Sequence, residues 1–380
     1  MIKSALLLDN ARQNEYNSYA LKKEHKMART CWCVIAKENM MFAEYLNHDV
    51  AVYGGYLLDD SQLIQCASGG VATALCQHFI DQGGYVAGVV YSEDFYNAEY
   101  ILTRNKLDIK RLMGSKYIEC DKNGIYSEIK KLLDAGESVL FFGLPCVVAA
   151  LYKFVGMRHE NLLTCELICH GPTSAVVHKE YIDFLEKRYK SKIVDFSVRR
   201  KKNEWKGKGY LFAQFENGKV FEKPFSDTEY SYAFSVLARE SCYACRFKGN
   251  NRQGDIMIGD FWGATENDSY WNKLGVSSIF AETEKGNNFL QLVSGIRLFP
   301  TTFERIVKHN PMVIKSTLRS KNRDKFSRLL SEKGLIYAVN HTADFKYKLI
   351  RVLKIVLPRW VKVLGKIIFT KIMIKKKEKV

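Results

Sequence analysis

Ser138-Val139-Leu140-Phe141-Phe142-Gly143-Leu144-Pro145-Cys146 is the stretch whose reading decides the fold. Residues Ser138–Phe142 form a short apolar run, as a strand covered on both faces should. Pro145 suits the first position of a helix, where its missing N–H is no loss. A buried strand is thus expected to turn into a helix within about three residues, the junction of an α/β unit. Tyr85–Tyr91, Leu162–Ile168 and Asp255–Ile258 read as further strands. Helical patterns lie between them, at about 70–82, 124–135, 145–156 and 175–190. Leu75, Phe79 and Ile80 share one face of the first, and Ile129, Leu132 and Leu133 one face of the second. Tyr210–Phe215 alternates, Asn217-Gly218 supplies a turn and Val220–Phe225 returns, which predicts a hairpin. The expected fold class is α/β: a mixed sheet flanked by helices, with an inserted β-hairpin and a basic amphipathic C-terminal tail.

The chain has 380 residues, 47% of them hydrophobic, enough for a sizeable core. Its organisation is expected as 1–60, a segment without an assigned role, 61–340, the main domain, and 341–380, the tail. The net charge of +17 is uneven. Residues 346–380 hold 12 Lys or Arg against one Glu, so +11 sits there and +6 on the other 345 residues. The main body therefore gives little support to a nucleic-acid partner. Such a partner needs basic residues interleaved with aromatics, and only Arg199–Lys208 comes close. In the tail Arg351, Lys354, Lys362 and Lys366 fall near one helical face, and no uncharged stretch approaches the ~20 residues that span a bilayer. A helix kinked at Pro358, lying on an anionic membrane surface, is expected there.

Ten cysteines stand at 31, 33, 66, 76, 120, 146, 165, 169, 242 and 245. The N-terminal apolar run is too short for a signal-peptide core, so a cytoplasmic chain is expected, peripheral at most at the inner membrane face. In that compartment many cysteines point to metal binding or redox chemistry rather than disulfides. About half are expected to be ordinary core residues. Cys242-Tyr243-Ala244-Cys245 places two sulfurs on one turn, able to reach one metal. Cys146 falls at a helix start, where the dipole favours a thiolate. Cys169 ends the strand Leu162–Ile168 and precedes His170-Gly171-Pro172. Ligands in α/β sheets bind beyond the carboxyl ends of strands, so both cysteines can converge with the C-x-x-C. Four thiolates suit zinc or an iron–sulfur cluster, and spacing does not choose between them.

Ser68-Gly69-Gly70, Gly114-Ser115-Lys116-Tyr117, Gly143-Leu144-Pro145-Cys146, Cys169-His170-Gly171, and the C-x-x-C with Gly254-Asp255-Ile256-Met257-Ile258-Gly259-Asp260-Phe261 occur in that order. Over about residues 61–310 the chain resembles the coenzyme F-420 hydrogenase and dehydrogenase beta subunit family. The resemblance implies a 4Fe-4S cluster on Cys146, Cys169, Cys242 and Cys245, an FAD, and hydride exchange with a deazaflavin or related small-molecule acceptor or a redox partner protein. It also implies a link to surface-polysaccharide biosynthesis. The sequence departs from the family pattern at Val147, where Gln is usual, and at His170-Gly171-Pro172-Thr173 in place of His-Gly-Val-Pro. Only Cys31 and Cys33 fall where relatives carry a ferredoxin-like module, so that module is expected to be lost.

The flavin pyrophosphate is expected at Ser68, Gly69 and Gly70, before a helix whose free N–H groups favour phosphate. Lys116 is expected against a phosphate or the flavin ring, and Tyr117 stacked on the ring. Asp255 and Asp260 are expected as outer residues of the cysteine loop or as turn residues, and His170 as a proton donor or a structural histidine. The competing expectation is a non-catalytic scaffold with a four-cysteine metal site at the membrane surface.

Overall fold

A computed structural model describes residues 50–344 and 347, apart from 123, 157 and 206–208. The tail and Cys31-Trp32-Cys33 lie outside the described residues. Two compact units divide the chain: residues 1–50 with Gly249–Asn251, and residues 51–248 with 252–380.

Eleven strands are described in the second unit: β1 Ala51–Leu57, β2 Tyr85–Tyr91, β3 Ala98–Thr103, β4 Val139–Gly143, β5 Leu162–Leu167, β6 Ile193–Arg200, β7 Tyr210–Phe215, β8 Val220–Pro224, β9 Ile256–Asp260, β10 Ser277–Ala281 and β11 Ile296–Pro300. Eight of them make one sheet in the order β11-β1-β10-β9-β5-β4-β2-β3. The central run β9-β5-β4-β2 is parallel. The flanking pairs β2–β3, β9–β10, β10–β1 and β1–β11 are antiparallel, so the sheet is mixed as expected. Val139, Leu140 and Phe141 of β4 are fully buried, which explains why this run reads as a strand with no polar face.

Helices α1 Val71–Asp81, α2 Ile125–Asp134, α3 Pro145–Val155 and α4 Ala175–Tyr189 match the four periodic segments. Pro145 occupies the first turn of α3, and α4 starts at Ser174, whose side chain accepts the Val176 N–H at 3.2 Å. Ile125, Ile129 and Leu133 of α2 and Val147, Val148 and Leu151 of α3 pack against Ala87, Val139, Phe141 and Leu162 of the sheet. Each such side chain removed from water contributes roughly 1.5–3 kcal/mol, before the entropy of ordering it.

The predicted hairpin is β7–β8, closed at Asn217-Gly218. It pairs through β7 with β6, giving a separate three-stranded antiparallel sheet. Helices α5 Glu229–Val236, α6 Glu284–Leu292, α7 Arg323–Lys333 and α8 Leu335–Thr342 complete the longer elements. A second core joins the small sheet to α4, α5, α7 and α8 through Tyr181, Leu185, Phe196, Phe215, Tyr230 and Phe326. Among the described residues no helix is long and apolar enough to cross a membrane.

Candidate functional site

The parallel strands carry the site at their carboxyl ends. β4 ends at Gly143, and two residues later α3 begins, putting Cys146 in its first turn and exposed to solvent. β5 ends at Leu167, and Cys169 follows in a short loop, where its sulfur accepts the Gly171 N–H at 3.1 Å. Gly171 sits at φ +93°, and a Cβ there would lie 3.1 Å from the sulfur of Cys242. The loop thus needs glycine both for its left-handed backbone and for close contact with the C-x-x-C. Cys242 lies in the single helical turn Glu240–Tyr243, and the Cys245 N–H donates to Ser316 Oγ at 3.0 Å.

The four thiols feel one another electrostatically. Loss of water raises the Cys146 pKa, although its side chain is solvent-accessible; Arg239 opposes this, and Cys245 and Cys242 add to it. Burial pushes Cys169 up to about 11, against the Gly171 N–H and Lys248, with Cys146 and Cys242 adding. Burial likewise raises Cys242, and Cys245 adds to the rise. Four cysteines from two strand ends and the C-x-x-C turn therefore form one neighbourhood. Among the described residues no three His, Cys, Asp or Glu side chains stand in a geometry that holds a metal ion as they are. Thiols raised by each other's charge are the donor set that a cation would draw into thiolates, so the residues fit a four-thiolate metal or cluster.

The remaining cysteines divide as expected of core residues. Cys66, Cys76 and Cys165 are buried, and Cys120 is half-buried.

The sequence-predicted phosphate loop has mostly packing roles. Gly70 caps α1 at φ +74° and is buried. A Cβ on Gly69 would lie 2.4 Å from both the Gly55 carbonyl and the Ser277 N–H, so glycine lets the loop press against β1 and β10. The Gly69 N–H donates to Ser277 Oγ at 2.9 Å, and the Ser68 hydroxyl to the Val276 carbonyl at 3.2 Å. Lys116 donates to the carbonyls of Arg111, Leu112 and Met113 at 2.8–3.0 Å, closing the short helical turn Ile109–Leu112. Burial pulls its pKa down to about 7. Tyr117 stacks on Phe234, with centroids 4.7 Å apart, and meets Phe225 edge-on. Its ring is thus already partnered on that side by protein.

A group of charges that sequence reading did not single out connects these motifs. Arg199 Nη1 donates to Asp260 Oδ2 at 2.7 Å, both largely buried, and Arg199 also bonds Tyr117. Burial works against the Arg199 charge, and Asp260 and Tyr117 more than restore it. Lys201 donates to the Ser68 carbonyl at 2.6 Å and the Leu63 carbonyl at 2.8 Å, and burial lowers its pKa to about 7. Trp262 lies between Arg199, 5.6 Å from its ring, and Trp205, stacked at 5.2 Å. Asp260 Oδ1 and Trp205 Nε1 are buried without a hydrogen-bond partner. An unmet acceptor and an unmet donor beside a half-buried indole suit a planar, polar ligand. The signal was available: β6 alternates, so one of each neighbouring pair of cations in Arg199-Arg200-Lys201-Lys202 must face inward.

His170 is exposed in the loop after Cys169; loss of water lowers its pKa, with Lys248 and Arg199 adding and Asp260 opposing. Asp255 accepts the Thr164 N–H, Thr164 Oγ1 and Thr283 Oγ1, all at 2.9 Å, and so stitches β5 to the segment before α6. That is a structural duty, while Asp260 faces the candidate site.

Residues 136–297 match the family model for the C-terminal part of the coenzyme F420 hydrogenase/dehydrogenase beta subunit. The matched segment contains Cys146, Cys169, Arg199, Cys242, Cys245 and Asp260; Ser68–Gly70, Lys116 and Tyr117 precede it. No curated protein matches the chain. Among solved structures the chain is similar to a chain of the F420-reducing [NiFe] hydrogenase complex from Methanosarcina barkeri, at 16% identity and a TM-score of 0.48, covering 74% of this chain and 92% of that one.

Proposed function

From a chain whose residues 136–297 belong to the coenzyme F420 hydrogenase/dehydrogenase beta subunit family, we propose an iron–sulfur flavoprotein oxidoreductase. It would hold a 4Fe-4S cluster through Cys146, Cys169, Cys242 and Cys245. It would bind FAD along the line from the Ser68–Gly70 loop to Tyr117. The acceptor would be a deazaflavin or another hydride acceptor, or a redox partner protein, in the setting of surface-polysaccharide biosynthesis. The observation that carries the reading is the convergence of four thiols beside the Arg199–Asp260–Lys201 charge cluster.

When bound, such cofactors supply one-electron and two-electron transfer respectively. The chain's part is position and charge. Cys146 brings the positive end of α3 to the sulfurs. Gly171 sets the loop of Cys169 against Cys242. Arg199 and Lys201 bring two cations to the region where a reduced flavin would gain negative charge, and Asp260 fixes one of them.

One set of observations favours a scaffold with a four-cysteine metal site. Gly69 and Lys116, which the flavin reading uses, are both accounted for by packing and by capping. The two readings part on one sample. Anaerobically purified full-length protein is assayed for iron, sulfide, zinc and flavin, with its visible spectrum recorded. About four irons with bound FAD are expected; zinc without flavin would leave the scaffold. In Cys146→Ala full iron occupancy would sink the ligand assignment.

A further inference from the structure

Three cations lie around the four thiols, and two of them are already neutralised. Arg239 Nε donates to Glu119 Oε2 at 2.9 Å. Arg252 faces Glu166 at 3.5 Å, with both side chains buried. The third is Lys248, three residues beyond Cys245. Its ammonium donates to the Cys169 carbonyl at 2.7 Å and to the Met312 carbonyl, both neutral. Among the described residues no carboxylate pairs with it.

An ammonium has three N–H donors. Two are used on carbonyls, so one remains for a sulfur acceptor. A buried cation without an anion is costly, and the fold places it among thiols rather than among water. The acidic and basic groups that bear on it are Arg252, which repels it, and the sulfurs of Cys169, Cys245 and Cys242, which attract it. His170 lies close enough to be repelled in turn.

We propose that Lys248 is the counter-charge of the four-thiolate site, a positioning residue that offsets the negative charge of whatever metal or cluster the thiolates hold. This rests on the metal half of the proposed function and not on the flavin. With a dipositive ion or a 4Fe-4S core, four thiolates leave net negative charge, and Lys248 is the one nearby cation not claimed by a carboxylate among the described residues.

The test uses the full-length protein with its site loaded anaerobically with zinc(II), so it works whichever metal the native protein carries. Zinc affinity is measured by competition with a chromophoric chelator for wild type, Lys248→Met, Lys248→Gln and Lys248→Arg. Met keeps the stem and removes charge and donors, Gln keeps a donor, and Arg keeps the charge. Removal of one counter-charge from a half-buried anion should weaken binding roughly tenfold in both Met and Gln. Arg should stay within about threefold of wild type. If Gln binds like wild type while Met does not, Lys248 is only a tie between two loops and the proposal fails; equal affinity in all four also overturns it. Where the isolated protein holds a cluster, Lys248→Gln should also lower its reduction potential by ~59 mV, a tenfold change for one electron. Absence of iron from the isolated protein would sink the cluster reading and leave the zinc comparison intact.

Discussion

Arg252→Met should destabilise the protein more as pH rises. Glu166 lies under the Cys169 loop and is fully buried, and Arg252 is nearly so. Glu166 Oε2 accepts the N–H groups of Gln253 and Gly254, each at 3.1 Å. Arg252 reaches back to the carbonyls of Phe247 at 3.2 Å and of Val313. The pair therefore fixes the chain that follows Cys245. Burial already raises the Glu166 pKa, and Arg252 is the chief opposing influence. Removing the guanidinium strands a buried carboxylate, which costs about 3–5 kcal/mol when the charge is retained. The carboxyl can escape part of this by taking a proton. Its folded pKa would then stand further above the unfolded one, the folded state would bind more protons, and stability would fall as pH rises between the two values. The deficit should be about 1–2 kcal/mol near pH 5 and roughly 3 kcal/mol or more near pH 8, on the order of 6–12 °C in midpoint for a chain this size. Thermal unfolding of the metal-free protein under reducing conditions, at both pH values, measures it. Glu166→Gln with Arg252→Met should recover most of the loss, because both charges are gone. A deficit below about 1 kcal/mol at pH 8, or one independent of pH, would refute the argument.

Three further outcomes are expected. Gly171→Ala should cost roughly 1–2 kcal/mol from its left-handed backbone, and its methyl, 3.1 Å from the Cys242 sulfur, should lower metal content; unchanged metal stoichiometry would speak against a shared site. Buried His178 donates from Nε2 to the Phe95 carbonyl at 2.7 Å and accepts from the Tyr230 hydroxyl at Nδ1, 3.0 Å away. Burial depresses its pKa to about 4, so the unfolded chain binds the extra proton, and roughly 3 kcal/mol of stability should be lost as pH falls from about 6.5 to 4; a denaturant titration series in which His178→Phe shows the same slope would exclude His178 as its source. Lys116→Met should destabilise the Ile109–Leu112 turn and leave flavin content unchanged if the amine is a helix cap; flavin loss at full folding would restore its phosphate role.

The fold was legible where burial is two-sided. β2, β4, β5 and β9 are apolar because helices or loops cover both faces, and a continuous apolar run needs no partner to be recognised. β1 was not legible: Gly54-Gly55 lowers strand propensity, and the strand exists because β10 and β11 pair on both of its sides. Such pairing joins residues more than 200 positions apart and leaves no local trace. The cysteines were legible by residue type at strand ends. Lys116 shows the opposite limit. Its motif is a sound phosphate signature by composition, but four carbonyls of the preceding turn lie within 3.4 Å and claim its protons.

Arg199-Arg200-Lys201-Lys202 carries the lesson furthest. Counted as charge, it was the main body's nearest approach to a nucleic-acid surface. Strand geometry separates the four. Arg200 pairs with Asp195 and lies over the Phe212 ring, and Lys202 pairs with Glu222 of the neighbouring hairpin. Arg199 and Lys201 instead point to the main sheet's carboxyl edge, toward Asp260 and the Ser68 carbonyl. The outward pair is neutralised and the inward pair is buried, so no stripe of unpaired cations faces solvent here. A run that composition assigns to an external polyanion is better matched to one small anionic ligand held inside, and the steep salt dependence of phosphate-backbone binding is not expected of it.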